Sequence, residues 1–84
     1  MQVKEGDYII ALKTIRGECK KGRRYEIHGI YEKGHESEMF DVLITYTEDA
    51  YFIIHNGKMT ISDSSNFEYD YKYNRKLKIN KILT

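Results

Sequence analysis

The chain has 84 residues and a mass of 10.0 kDa, enough for one modest hydrophobic core and too little for two, which excludes a two-domain enzyme. Eight tyrosines and three phenylalanines with no proline or tryptophan favour pleated strands over helical bundles or disordered tails. The net charge of +1 excludes a strongly cationic nucleic-acid coat, yet it is a cancellation: eight bases against five acids over residues 1–33, eight acids against Lys58 alone over 34–70, and five bases with no acid over 71–84.

In chain order, Asp7 to Thr14 reads as a first strand, bounded by Gly6 and Gly17 and apolar on both faces in its middle. Ile15 to Gly22 is mostly polar and reads as a loop ending in a tight turn at Lys21-Gly22. The chain re-enters a sheet at Arg24, with Tyr25, Ile27 and Tyr31 on one face and Glu26 and His28 on the other. Glu32 to Glu38 lacks any apolar side chain and is expected to be an exposed loop. Phe40 to Tyr46 then alternates as a third strand, expected to form a hairpin with Tyr51 to His55 through Thr47-Glu48-Asp49-Ala50.

Asn56-Gly57 is the strongest turn signal in the chain, because both residues accept the positive φ of a two-residue hairpin turn, and Lys58 to Ile61 is the returning strand. Ser62 to Asn66 suits a turn or one turn of 3₁₀ helix. Phe67 to Tyr73 alternates rings with charges, placing four rings on one strand face. Arg75 to Leu83 reads as a final edge strand whose lysines discourage aggregation, with a helix through Ile79, Ile82 and Leu83 as the competing reading. The expected fold is thus all-β, a single domain with its barrel core over about 7–73 and a basic C-terminal strand or tail over 74–84. Tyr8, Tyr25 and Tyr69 are its expected core tyrosines.

Cys19 is the only cysteine, so no internal disulfide forms and a stapled secreted scaffold is excluded; a reducing cytoplasm fits best. The first residues lack the apolar run of a secretion signal, and no stretch approaches the ~18 apolar residues of a membrane span, so no membrane partner is expected. His28, His35 and His55 are not joined to any carboxylate or nucleophile by a motif, so no catalysis is expected. Paired ligands at zinc spacing are missing, and Gly17 and Gly22 do not form a phosphate-cradling loop, so neither metal nor cofactor is expected. Cys19 beside Lys20 and Lys21 reads as a passive thiol ahead of a reactive one.

Two binding candidates remain. Arg16, Lys20, Lys21, Arg23 and Arg24 put five cations within nine residues, a set able to contact phosphate or an acidic protein surface. Tyr69, Tyr71 and Tyr73 with Lys72, Arg75, Lys76 and Lys78 interleave rings and cations as single-stranded nucleic-acid binders do, with Tyr69 expected to pack inward. Acids from Glu36 to Asp49 form a third feature, better suited to meeting a basic protein than to imitating nucleic acid.

Ala11-Leu12, the irregular loop, the run Lys20-Lys21-Gly22-Arg23-Arg24-Tyr25-Glu26-Ile27, Asn56-Gly57-Lys58 and Phe67-Glu68-Tyr69 resemble the small SH3-like β-barrel proteins of phage accessory genes, over about residues 7–70. The resemblance implies a partly open barrel of five to seven short antiparallel strands with a C-terminal edge strand. It also implies a non-enzymatic protein, in the host cytoplasm, that docks on a host or phage protein and modulates or inhibits it. The second expectation is a nucleic-acid-binding module using the basic loop and tail. A homodimer through an edge strand ending in Lys81-Ile82-Leu83 is a further expectation.

Overall fold

The computed structural model describes residues 3–39 and 41–83. Eight strands and one C-terminal helix follow in the order β1 (Tyr8–Ala11), β2 (Arg24–Glu26), β3 (Gly29–Tyr31), β4 (Glu36–Met39), β5 (Val42–Thr45), β6 (Ala50–His55), β7 (Lys58–Asp63), a 3₁₀ turn (Ser64–Asn66), β8 (Phe67–Tyr69) and α1 (Tyr71–Leu83). The fold is mostly β. Its strands lie in three small antiparallel sheets, β2-β1-β8, β3-β6-β7 and β4-β5, with no closed barrel among the described residues.

The core lies on one face of the first two sheets. Ile9 and Ala11 of β1, Tyr25 and Ile27, Tyr51 and Ile53 of β6, and Phe67 of β8 pack there with Cys19 from the loop. Period-two alternation sets this pattern, since Ile9 pairs across to Tyr25 on one side and Tyr69 on the other and therefore shares their face. Each fully buried isoleucine contributes roughly 1.5–3 kcal/mol through area removed from water. Tyr25 is buried as expected, whereas Tyr8 and Tyr69 are half-buried and Tyr51 is the second buried tyrosine. The first strand buries one face only: Ile10 is half-buried and Leu12 lies exposed.

Residues 24–31 do not form one strand. Ile27 N–H bonds Asp7 C=O in the first sheet, and His28 N–H bonds Phe52 C=O in the second, so the chain crosses between sheets at this pair. Gly29 permits the crossing: a Cβ there would lie 2.9 Å from Cδ2 of Phe52.

The expected exposed loop over 32–38 is corrected at its end, because Glu36–Met39 pairs with Val42–Thr45 as the β4-β5 hairpin. Period-two alternation needs no apolar residue where neither face is buried, and Glu36 and Glu38 are both exposed. Phe40, read as the start of the third strand, lies outside the described residues. The partner expected for that strand is also corrected: β6 pairs with β3 and β7, leaving β5 to β4. The Asn56-Gly57 hairpin forms as read, with φ of 51° and 79° at its two turn residues. Among the described residues the strands number eight, above the five to seven expected.

The largest correction is at the C-terminus. Tyr71–Leu83 is a helix, so the ring-charge alternation ends at Tyr69 and the edge strand expected from Arg75 to Leu83 does not form. Asp70 makes the switch: its backbone N–H still bonds Tyr8 C=O, while its carboxylate Oδ1 accepts the Tyr73 N–H at 3.1 Å in the manner of an N-cap. Asn74 N–H then closes the first helical turn onto Asp70 C=O.

Candidate interaction surfaces

The long loop between β1 and β2 is a rigid, cationic end of the molecule. Ile15 and Cys19 exchange backbone bonds of 2.9 and 3.0 Å across the Arg16-Gly17-Glu18 tip, and Gly17 supplies the positive φ. Thr60 of β7 donates its hydroxyl to Glu18 C=O, tying the tip to the second sheet. Lys20 to Arg23 forms a tight turn with an Arg23 N–H to Lys20 C=O bond and Gly22 at φ 83°, as the Lys21-Gly22 pair requires. Beneath this turn, the buried Tyr25 hydroxyl accepts the Lys20 N–H at 2.8 Å and meets Nδ1 of His55 at 2.8 Å. Cys19 is a core thiol, 1% exposed.

Arg16, Lys20, Lys21 and Arg23 are all exposed on this frame. Arg23 reaches the β6-β7 turn and donates to Oδ1 of Asn56 at 3.2 Å, which brings Lys58, two residues further on, to the same end. Among the described residues, none of these five cations has a carboxylate within ion-pair distance. The sequence did not mark Lys58 and Asn56 as binding residues; the Asn-Gly-Lys run located the turn, but only pairing across sheets sets it beside Arg23.

Arg24 and Tyr73 serve a different contact. Arg24 Nε donates to Asp70 Oδ2 at 2.7 Å, and its guanidinium carbon lies 3.8 Å from the Tyr73 ring centroid. Tyr73 also meets Tyr8 edge-to-face at 4.8 Å. Burial pushes the Tyr8 phenol upward, aided by the Glu26 and Tyr73 charges and opposed by Arg24. This cluster fastens α1 across the outer face of the first sheet.

The remaining tail candidates lie along the helix. Tyr71 is 61% exposed and touches Tyr69 edge-to-face, while Tyr73, Asn74 and Leu77 turn inward. Lys72, Arg75 and Lys76 are exposed with Tyr71 and Ile79 on the outward side. Lys78 lines an open cleft of ≈ 570 Å³ between the helix and the N-terminal stretch, together with Lys4, Glu5, Tyr8, Glu26 and Leu77. That cleft lies by the start of β1, whereas the basic loop joins the far end of the same strand, where Gly22 N–H bonds Ala11 C=O. The loop cations and Lys78 therefore occupy opposite ends of β1.

The acidic segment forms the third surface. Tyr31 stacks on His35 at 4.6 Å and 12°, and meets Tyr46 and Phe52 at 5.2 and 4.7 Å, an aromatic knot at the base of the β4-β5 hairpin. Gly34 N–H to Tyr46 C=O and Tyr46 N–H to His35 C=O continue the pairing into that base. Beyond it, Val42 and Leu43 are 59% and 63% exposed.

The three histidines are engaged separately: His28 lies 3.7 Å from Glu26, His35 stacks on Tyr31 and His55 meets Tyr25. Among the described residues, no three His, Cys, Asp or Glu side chains gather to hold a metal, and no helix is long and apolar enough to cross a membrane. No protein-family model, curated protein or solved structure matches the chain.

Proposed function

We propose that this chain is a non-enzymatic protein-interaction module of the small SH3-like, phage-accessory type, which docks through its basic end on an acidic surface of a host protein and modulates or inhibits it. One observation carries the reading: Arg16, Lys20, Lys21 and Arg23, on a loop held by backbone and hydroxyl bonds, and Lys58 at the adjoining β6-β7 turn stand exposed and, among the described residues, without ion-paired carboxylates. Preformed charge of this kind steers docking and sets register, and a rigid loop loses little conformational freedom on binding. The acidic residues of the hairpin give the chain surfaces of both signs, which suits a protein partner better than a uniform polyanion.

The test combines Lys20→Glu, Lys21→Glu and Arg23→Glu, leaving Arg24 in place because it holds α1. The reading expects the native protein to capture one acidic protein from bacterial host lysate and the triple variant, with unchanged circular dichroism, to lose it. Tight, salt-sensitive retardation of an oligonucleotide by the native protein would overturn it in favour of a nucleic-acid-binding module. That second reading draws on Lys72, Arg75 and Lys76 beside the exposed Tyr71.

A further inference from the structure

Among the described residues the β4-β5 hairpin is a two-stranded sheet with no further strand on either edge, and its strands pack chiefly on one another. An isolated two-stranded hairpin is marginal in water, and here the aromatic knot at its base holds it. Free edges present rows of unpaired backbone N–H and C=O groups, which accept a further strand. The edge chemistry differs between the two strands. Along β5 the sequence Val42-Leu43-Ile44-Thr45 carries no charge, whereas β4 places exposed Glu36 and Glu38 on either side of Ser37.

The register fixes the faces. Glu36 pairs with Thr45 and Glu38 with Leu43, so these four share one face; Ser37 pairs with Ile44 and shares the opposite face with Val42. A strand added to β4 is therefore matched when its residues opposite Glu36 and Glu38 are Lys or Arg and the residue between them is aliphatic. The cations then face carboxylates about 5 Å away across the new ladder, and the aliphatic residue extends the Val42-Ile44 face over the small Ser37.

We propose that the β4 edge is a docking site for an extended segment of a partner protein in which basic and aliphatic residues alternate. Residues 34–49 contain five acids and no lysine or arginine, so the hairpin attracts such a segment over distance as well as in contact. The same count argues against a second copy: a symmetric pairing of two β4 edges brings Glu36 and Glu38 of both copies together. Pairing of the hairpin with the basic loop of another copy is heterologous, and it generates rings or open chains in place of a symmetric dimer. Combined with the basic end, the site makes the protein a bridge between two partners of opposite charge.

The experiment uses the native chain and fluorescent eight-residue peptides, read by anisotropy at 50 mM and 300 mM salt. One peptide alternates lysine with valine, a second has the same composition in two blocks, a third alternates glutamate with valine, and a fourth is the first with alternate backbone nitrogens methylated. The expected order is binding of the first at least tenfold tighter than the other three. Glu36→Lys with Glu38→Lys, both on exposed positions, is expected to reverse the preference between lysine and glutamate peptides by at least tenfold. Equal binding of the alternating and block peptides, or indifference to methylation, overturns strand addition. No binding of the first peptide at 1 mM overturns the proposal, as does dimerisation of the free chain that the same double variant abolishes. The triple substitution in the basic loop leaves these affinities unchanged if the hairpin site is independent, which keeps failure here distinct from failure of the basic-end reading.

Discussion

The side-chain amide of Asn74 stands in for a strand residue opposite Tyr8. Its Oδ1 accepts the Tyr8 N–H at 2.7 Å and its Nδ2 donates to Tyr8 C=O at 2.8 Å, continuing the β1-β8 ladder one position past the last paired residue, Tyr69. Asn74 is 4% exposed, so both bonds are shielded from water. Replacing it by alanine leaves the Tyr8 N–H unpaired, while Tyr8 C=O keeps the Asp70 N–H, and asparagine to aspartate keeps the acceptor while setting a carboxylate against the Tyr8 carbonyl. Each substitution is expected to cost about 1–3 kcal/mol, with Asn74→Asp at least as damaging as Asn74→Ala. Urea unfolding monitored by circular dichroism checks the order; equal stability of all three chains would refute the ladder role.

Asp70 holds the same helix at its N-terminus, as cap for Tyr73 N–H and as ion-pair partner of Arg24. Asp70→Ala is expected to lose about 1–2 kcal/mol, mostly through the cap, because Arg24 is half exposed and its ion pair is partly screened by solvent. Helix content by far-ultraviolet circular dichroism should fall with it, and Asp70→Ser should recover much of the loss.

The Tyr25 hydroxyl couples the basic loop to β6 through Lys20 N–H and His55. Tyr25→Phe retains the core ring and removes both contacts, leaving a loop amide without its partner. The expected cost is about 1–2 kcal/mol, with faster amide hydrogen exchange at Lys20 and unchanged exchange in β7. Unaltered exchange at Lys20 would show that the loop needs no such anchor.

Gly29 sits where the chain passes between sheets under Phe52. Its φ lies outside the left-handed region, so Gly29→Ala tests steric contact alone: the added Cβ meets the Phe52 ring at 2.9 Å. A loss of about 1–3 kcal/mol is expected from overpacking. Phe52→Leu in the same background should relieve part of it, and additive losses would exclude the contact as the cause.

Three tyrosines predict the alkaline limit of the fold. Burial raises the phenols of Tyr8, Tyr51 and Tyr69 above the ordinary value of about 10, with Glu26 adding at Tyr8, Asp49 at Tyr51, and Asp7 at Tyr69 by charge and hydrogen bond. The unfolded chain therefore loses these protons first as pH rises. Below about pH 10 the phenols are neutral in both states and their contribution is complete; it falls as pH climbs through the unfolded and then the folded values. Thermal unfolding between pH 8 and 11.5 should show a midpoint that declines above about pH 10, less steeply in Tyr69→Phe.

Much of the β architecture was legible because it follows from local rules. Asn56-Gly57 needs positive φ and received it, Lys21-Gly22 closes its turn, and the polar stretch after Ile61 contains the 3₁₀ turn. The candidate site was legible in part. Arg16, Lys20, Lys21 and Arg23 could be named because a run of cations on a loop is visible along the chain, but Lys58 joins them from 35 residues after Arg23 through sheet pairing. Arg24 and Tyr73, which the sequence grouped with the binding residues, meet each other and Asp70 instead.

Sequence alone determined that this is a small, mostly β protein whose net charge of +1 hides segregated blocks, because composition and period-two alternation act residue by residue. Tertiary structure decided the fate of the last strand pattern. Lys76-Leu77-Lys78-Ile79 alternates as a strand would, yet the Asp70 cap, the Arg24-Tyr73 contact and the Asn74-Tyr8 pair commit it to a helix. It also decided the acidic segment, where Glu36 to Met39 pairs without an apolar face because its stability comes from β5 and the aromatic knot around Tyr31. Tyr8 and Arg24 lie far along the chain from the helix they hold, and Phe52 lies beyond the hairpin whose base it braces, so no local window contains these contacts, which outweigh intrinsic preferences of only a fraction of a kcal/mol per residue.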